Sequence, residues 1–109
     1  MISIINIEDR TKELGGIPWL PIDMVRVNDQ VVRLVLFKGE FHWHKHAKED
    51  ELFLVIKGQI IIQLKDQPDI NLQEGKMVVI PKGIEHCPKS SKTSYVLLFE
   101  PFALKKMGD

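Results

Sequence analysis

The chain of 109 residues has the length of one domain, which we expect to span residues 1–109. Hydrophobic residues make up 44% and charged residues 28% of the sequence, which is typical of a folded globular protein and excludes a largely disordered one. Lys and Arg number 15, as do Asp and Glu, so the formal net charge is zero, which argues against a nucleic-acid partner or an anionic membrane surface.

The pattern of apolar residues predicts β-strands along most of the chain, because short β-branched and apolar runs separated by turn residues are typical of strands. These runs lie at residues 31–37, 51–56, 59–64, 70–72, 77–80 and 95–100. Weaker strand candidates lie at residues 2–7 and 22–27, a turn at residues 66–69, and single helical turns at residues 9–14 and 103–107. The sequence therefore predicts one all-β domain, either a sandwich or a barrel.

The strands predicted at residues 51–56 and 59–64 are separated only by Lys57 and Gly58. Glycine takes positive φ values without strain, and two-residue hairpin turns need such values. The sequence therefore predicts that these two strands pair with each other as a β-hairpin.

The sequence also indicates where the protein resides. No apolar run approaches the roughly 20 residues that a membrane-spanning helix needs, and the N-terminus lacks the basic start and apolar core of a signal peptide. Cys87 is the single cysteine, which excludes an intrachain disulfide framework. We expect a cytoplasmic protein in which Cys87 is a buried thiol with a structural role.

Three of the four histidines, His42, His44 and His46, lie within five residues. Side chains two residues apart in a strand project from the same face, about 6.6 Å apart along the backbone. His44 and His46 can therefore reach one point, and the carboxylate of Glu51 can join them from an adjoining strand. Imidazole and carboxylate together suit Fe, Mn, Ni, Zn or Cu, whereas Ca²⁺ requires more oxygen ligands.

The same segment also fits a polar edge strand, because charged side chains on a sheet edge discourage aggregation. Lys45 and Lys48 are consistent with such a surface, and Glu51 is one acidic residue in an acidic run. Local spacing alone leaves both interpretations open.

A second motif favours the metal site. Gly75 opens a strand that is followed by Pro81, Gly83 and the fourth histidine, His86. Together the two segments resemble the signature motifs of the cupin superfamily, G-x(4–5)-H-x-H-x(3–4)-E-x(6)-G and G-x(5)-P-x-G-x(2)-H-x(3)-N.

The match covers residues 39–58 for the first motif and residues 75–90 for the second. It departs from the family pattern in two places. Four residues separate Gly39 from His44 where five are usual, and Ser90 stands where the family has Asn. Neither departure affects a ligand position.

The resemblance implies a small single-domain cupin of the cupin-2 type, a jelly-roll β-barrel that holds one divalent transition-metal ion, whether Fe, Mn, Ni, Zn or Cu. It implies that His44, His46 and His86 bind the ion through imidazole nitrogens and that Glu51 binds through a carboxylate oxygen. Two coordination positions would remain for water, dioxygen or a chelating substrate. The motif does not use His42, which we place beside the ligands or in the pocket wall and keep as a weak candidate for a catalytic base.

The cupin barrel hosts many reactions, so the fold does not identify the activity. The first hypothesis is a metal-dependent enzyme, of the isomerase, epimerase or dioxygenase type, that acts on a small polar molecule. The second is a module that binds or senses such a molecule without converting it. The third is a barrel whose histidines bind no metal. Cupins commonly pair through outer strands, and exposed strand edges need cover, so we also expect a homodimer.

Overall fold

The computed structural model describes residues 2–105 and Gly108, and seven strands dominate this part of the chain. The elements are α1 (Ile7–Thr11), a 3₁₀ turn (Lys12–Leu14), β1 (Ile22–Val27), β2 (Gln30–Glu40), β3 (Glu51–Lys57), β4 (Gln59–Leu64), β5 (Gln67–Gln73), β6 (Met77–Ile80) and β7 (His86–Pro101). The predicted all-β fold is confirmed. No helix within these residues is long and apolar enough to cross a membrane.

The seven strands form one hydrogen-bonded sheet, and the last strand, β7, joins its two parts. The larger part has the strand order β1-β2-β7-β3-β6, and the smaller part consists of β4, which pairs with β7, and β5, which pairs with β4. We call these two parts the two sheets of the barrel. The first four residues of β7 face β4, with His86 opposite Leu64 and Lys89 opposite Ile61. Its later residues pair with β2 and β3. All these pairings are antiparallel, and the two sheets curve around one interior as a small barrel.

Alternation along the strands separates the interior from the outer face. The interior is filled by Val35, Phe37, Phe53, Val55, Ile60, Ile62, Leu72, Ile80, Val96 and Leu98. A second cluster on the outer face, Leu14, Leu34 and Leu36, packs beneath the N-terminal helical turns. Each fully buried side chain of this kind contributes about 1.5–3 kcal/mol to stability. Apolar packing in the interior is therefore the main contribution to the stability of the barrel.

The strands β1, β4 and β6 have the predicted bounds, whereas β2, β3, β5 and β7 are longer than the sequence predicted. β5 includes Pro68, which we expected in a turn. An edge strand tolerates proline, and β5 pairs only with β4.

The ends of the chain also differ from the prediction. Residues 2–6 form no strand, and a helix starts at Ile7 because the Asn6 side chain accepts a hydrogen bond from the Asp9 amide at 3.1 Å. A turn follows β7, but Lys106 and Met107 of the predicted C-terminal helical turn lie outside the described residues.

The predicted hairpin around Gly58 is wrong. β3 pairs with β6 and β7, while β4 pairs with β5 and β7, so the chain crosses between the sheets at Gly58 instead of turning back. A Cβ atom at Gly58 would lie 2.3 Å from Ser94 Oγ and 3.1 Å from Ser94 Cα. Glycine is required here because β7 passes against the bend. Ser90 and Ser94 hold the crossing, since their hydroxyls lie 3.0 Å and 3.1 Å from the Gln59 carbonyl oxygen.

Replacing Gly58 by alanine tests this close approach. Gly75 is a matched control, because its φ of +81° resembles the +97° of Gly58 but no atom lies within 4 Å of its Cβ position. We expect Gly75→Ala to lower the free energy of unfolding by about 1 kcal/mol and Gly58→Ala by about 2–4 kcal/mol. Urea denaturation measures both values. Equal losses would show that Ser94 does not restrict this position.

Candidate metal centre

The two histidine motifs are joined by backbone pairing. The amide of His44 donates to the His86 carbonyl at 3.0 Å, and the amide of His86 donates to the His44 carbonyl at 2.9 Å. This isolated bridge is the only strand-type pairing among residues 41–50. The strand that we expected through His42, His44 and His46 is therefore absent, and the bridge places His44 beside His86.

Two further hydrogen bonds connect the loop around His46 to the turn before His86. The Gly83 amide donates to the His46 carbonyl at 2.8 Å, which turns that carbonyl away from any strand partner. The Lys82 amide donates to Asp50 Oδ1 at 2.8 Å. Gly83 has a φ of +82°, which favours glycine at this turn. The turn of the second motif, at Lys82 and Gly83, therefore holds the loop of the first motif in place through these two hydrogen bonds.

The structure brings together all four side chains that the sequence singled out as ligands. His44, His46, Glu51 and His86 each offer one ligand atom, and these atoms lie within 4.8 Å of one another. Glu51 Oε1 lies 3.6 Å from Nε2 of His46 and of His86. That separation is too long for a hydrogen bond. It is close to the roughly 3.0–3.4 Å expected for neighbouring ligands that each lie about 2.1 Å from one ion.

Backbone carbonyls orient two of the imidazole rings. Nδ1 of His44 lies 3.0 Å from the His42 carbonyl oxygen, and Nδ1 of His86 lies 2.8 Å from the Ile84 carbonyl oxygen. A carbonyl only accepts hydrogen bonds, so each Nδ1 carries the proton and each Nε2 keeps its lone pair. Burial lowers the pKa of His44 from 6.5 to about 4. The ring is therefore neutral at pH 7, as a metal ligand must be.

The buried polar atoms of this cluster fit a metal ion. His86 Nε2 and Glu51 Oε1 are buried and have no hydrogen-bond partner among the described residues. A buried polar atom without a partner costs about 1–3 kcal/mol, and buried groups of this kind are rare in folded proteins. An ion bound between them would satisfy both atoms. Transition metals accept such a pair of donors, an imidazole nitrogen and a carboxylate oxygen.

A cavity of about 40 Å³ lies beside the cluster and has mainly apolar walls. Its aromatic wall consists of Trp19, Phe37, Phe41 and Phe53, and prolines and aliphatic side chains complete it. The Trp19 ring lies 4.4 Å from the Phe37 ring and 5.0 Å from the Phe41 ring, between centroids. Its Nε1 donates to the Lys38 carbonyl at 3.0 Å. Trp19 has a φ of +64°, a strained value for a large side chain that the surrounding contacts must hold.

The polar groups that line the cavity are His44, Glu51 and Glu100. Glu100 is 1% exposed and follows Val96 and Leu98 on the inward face of β7. Burial raises its pKa to about 8, and the charge of the neighbouring Glu51 acts in the same direction. A second carboxyl group, besides that of Glu51, therefore lines the cavity beside the metal cluster.

Behind Glu100 lies a buried arginine. Arg33 is 2% exposed, and its Nη1 lies 3.5 Å from Glu100 Oε2. Its Nε donates to Asp23 Oδ1 at 2.8 Å, and its Nη2 donates to the Phe102 carbonyl at 3.2 Å. Asp23 is therefore the closer counter-charge of Arg33.

The sequence analysis missed Glu100, Arg33 and Trp19. A signal existed for two of them, because Glu100 and Arg33 have the same parity as the inward-facing apolar residues of their strands. A charged residue at an interior position is unusual and points to a functional or paired group. No sequence signal marked Trp19, which lies in a loop and meets the cavity only through the fold.

The other residues singled out in the sequence lie around this centre. His42 is not part of the ligand cluster and does not line the cavity; its ring stacks on Phe41 at 3.9 Å. It contributes its backbone carbonyl to the orientation of His44. Cys87 is fully buried as expected, and Trp43, which follows His42 in the chain, is 46% exposed.

Comparison with known proteins identifies the family. Residues 31–100 match the model of the cupin domain. The crystal structure of a cupin-2 domain containing protein from Shewanella frigidimarina is 40% identical with a TM-score of 0.86, covering 90% of this chain and 94% of that one. Protein NMB1881 from Neisseria meningitidis is 25% identical with a TM-score of 0.83, covering 91% and 99%. The uncharacterized protein YdbB of Bacillus subtilis is 44% identical over 64 residues, which span 59% of this chain and only 57% of that protein. The chain therefore belongs to the cupin-2 family of cupin domains.

Proposed function

We propose that this protein is a metal-dependent enzyme that binds one divalent transition-metal ion through His44, His46, Glu51 and His86 and acts there on a small polar molecule. One observation carries the proposal: four groups of metal-ligand chemistry converge within 4.8 Å beside a cavity. Two buried polar atoms of this cluster, His86 Nε2 and Glu51 Oε1, have no hydrogen-bond partner among residues 2–105 and Gly108, and a bound ion would account for both.

The ligand set narrows the class of ion. Three neutral imidazoles and one carboxylate sum to a charge of −1, so a divalent ion keeps a net positive charge and attracts anionic oxygen donors. Fe, Mn, Ni, Zn and Cu accept this mixture of nitrogen and oxygen. When bound, such an ion supplies Lewis-acid polarisation of a carbonyl or a bound water of lowered pKa. An isomerase, epimerase or dioxygenase reaction is consistent with that chemistry.

The residues of the chain contribute orientation and exclusion of water. The carbonyls of His42 and Ile84 direct Nε2 of His44 and His86 to the centre. The aromatic wall around Trp19 shields the cavity and strengthens polar interactions inside it. These features would hold a small ligand in one orientation.

A non-catalytic binding or sensing module is the second candidate. It is favoured by the cavity lining, in which only His44, Glu51 and Glu100 could accept or donate a proton. Two of these three are proposed ligands, and the His42 ring lies outside the lining. A slow or absent turnover of ligands that bind the loaded protein would support this alternative.

Elemental analysis of protein purified without a histidine tag tests the metal site. We expect about one equivalent of a transition metal in the wild type and less than about a tenth of that in His46→Ala and His86→Ala, because each variant removes a ligand. His42→Ala is the matched control, since this histidine lies in the same segment but outside the ligand cluster; it should keep the metal.

The contrary result is also clear. A wild type that stays empty after reconstitution with Fe(II), Mn, Ni and Zn would remove the proposal. Metal retained in both ligand variants would mean that the ion binds elsewhere. Copper and zinc taken up during overexpression have to be exchanged first, because these two ions bind such sites most tightly.

We also propose that the protein is a homodimer, formed through the outer face of the larger sheet. One cross-strand row of apolar residues runs over all five strands of that sheet: Val25, Val32, Phe99, Leu52 and Val79. Three of them are exposed, Val79 by 50%, Val25 by 40% and Phe99 by 38%. A contiguous apolar row at the surface is typical of an interface.

The N-terminal segment adds apolar surface that the rest of the chain leaves uncovered. Ile2 and Ile4 are 100% and 99% exposed in a stretch without secondary structure. A second copy of this chain offers an apolar surface of matching chemistry, and symmetric pairing is the commonest assembly of a single chain.

Light scattering tests the dimer. We expect a mass of twice the 12.6 kDa of one chain, and we expect Val79→Lys to shift the protein to the monomer because it places a charge in the apolar row. Gln73→Lys is the control, since Gln73 is exposed on β5 in the other sheet. A monomeric wild type would contradict the proposal, as would a Val79→Lys variant that remains dimeric.

A further inference from the structure

Glu100 is a buried carboxyl group in the wall of the cavity. The residue is 1% exposed, and neither of its carboxyl oxygens has a partner of normal geometry among the described residues. It lines the same cavity as His44 and Glu51. A buried polar group left without a partner is costly to the fold, so its position indicates a partner that enters the cavity from outside the chain.

The ion pair with Arg33 accounts for Glu100 only in part, because the two groups form no hydrogen bond of normal geometry. Arg33 Nε donates to Asp23 at 2.8 Å, whereas its Nη1 lies 3.5 Å from Glu100 and forms no hydrogen bond among the described residues. The guanidinium therefore pairs with both Asp23 and Glu100, and its contact with Glu100 is made through Oε2. The Glu100 side chain also lines the cavity, where a ligand can reach it.

The size and lining of the cavity restrict what can bind there. A volume of about 40 Å³ holds about three water-sized groups, so the part of a ligand inside it has only a few non-hydrogen atoms. The described residues that line the cavity include no lysine or arginine. Phosphate esters and other dianions would meet no cation there apart from a metal ion, whereas the aromatic wall of Phe37, Phe41 and Phe53 accepts a small apolar body.

We propose that Glu100 binds the hydroxyl group of a small 2-hydroxy acid or 2-hydroxy ketone that chelates the ion of the neighbouring metal centre. The inference rests on the function proposed above, and it assigns that site a class of ligand and a second protein contact. A 2-hydroxy carbonyl compound presents two adjacent oxygens to an ion and carries a short apolar end. Its hydroxyl group both donates and accepts hydrogen bonds, so it pairs with the Glu100 carboxyl in either protonation state.

Glu100 is well placed for this contact because it is adjacent to a proposed ligand. Its side chain lines the same cavity as those of Glu51 and His44. A hydroxyl oxygen bound to the ion beside Glu51 would therefore lie near Glu100 as well. The metal centre would hold the two oxygens, Glu100 would select the hydroxyl, and the aromatic wall would take the remaining carbon.

Ligand titrations of the full chain loaded with Co(II) test the proposal. The visible absorption of Co(II) reports chelation, and the probes are lactate, propionate, which lacks only the hydroxyl, and inorganic phosphate. In the wild type we expect lactate to bind at least about tenfold more tightly than propionate, and phosphate to bind no better than propionate. Chelation alone also favours lactate, so the decisive comparison is between variants.

Three substitutions separate hydrogen bonding from folding. Glu100→Gln keeps the length and the hydrogen-bonding groups, and we expect its preference for lactate to stay within about threefold of the wild type. Glu100→Asp keeps a carboxyl group for Arg33 but withdraws it from the cavity, and Glu100→Met removes it. We expect both to lose about tenfold in lactate affinity with propionate affinity unchanged. Glu100→Asp decides the matter if Glu100→Met does not fold.

Cobalt content, measured on every variant, distinguishes the two proposals. One equivalent in all variants, with the lactate preference unchanged in Glu100→Asp, would overturn the role of Glu100 and leave the metal site intact. A wild type that binds no cobalt would overturn the metal site, and this inference with it. Tight phosphate binding to the loaded wild type would overturn the ligand class alone.

Discussion

The candidate centre depends on two backbone hydrogen bonds, those exchanged between His44 and His86 at 3.0 Å and 2.9 Å. They join a segment that has left β2 to the first residue of β7, and they do so where no continuous ladder exists. The Gly83 amide adds a third bond, to the carbonyl of His46. Because these bonds involve only main-chain atoms, they occupy none of the four proposed ligand atoms. Glu51, as the first residue of β3, joins them from a different strand.

Because the proposed ligand atoms are buried, the stability of the fold and the binding of the proposed ion depend on each other. His86 Nε2 and Glu51 Oε1 each lose water on folding, at about 1–3 kcal/mol for every atom left without a partner. Structural zinc sites in small peptides gain roughly 10–16 kcal/mol from the metal, so an ion more than offsets this cost. The apolar interior around Phe53 and Val55 supplies the stability that allows the chain to keep such a cluster.

Sequence reasoning succeeded where the signal was local and failed where it depended on strand pairing. Two short segments contain all four proposed ligands: His44, His46 and Glu51 lie within eight residues, and His86 follows a Pro–Gly turn. The structure brings these four side chains together. The hairpin at Gly58 was wrong because a glycine between two apolar runs fits a hairpin turn as well as a crossing between sheets. The contact that decides the matter, with Ser94, lies 36 positions away in the chain. Glu100 was missed although its parity along β7 marked it as an interior residue, because its neighbours Glu51 and Arg33 come from other strands.

The geometry of β7 explains why the metal cluster and Glu100 share one cavity. This strand begins at His86 in the pairing with β4 and ends beyond Glu100 in the pairing with β2. Between them it passes the crossing at Gly58, where Ser94 Oγ accepts a hydrogen bond from the Gln59 amide at 3.1 Å. The path of β7 past this crossing therefore sets the distance between His86 and Glu100. A substitution at Gly58 that is tolerated by the fold would move Glu100 relative to His86, so that the cavity changes shape while each ligand residue is still present. Ser90 occupies the place of the family's Asn, and its hydroxyl donates to the Gln59 carbonyl at the same crossing. This departure from the motif therefore concerns the path of the strand and not the binding of an ion.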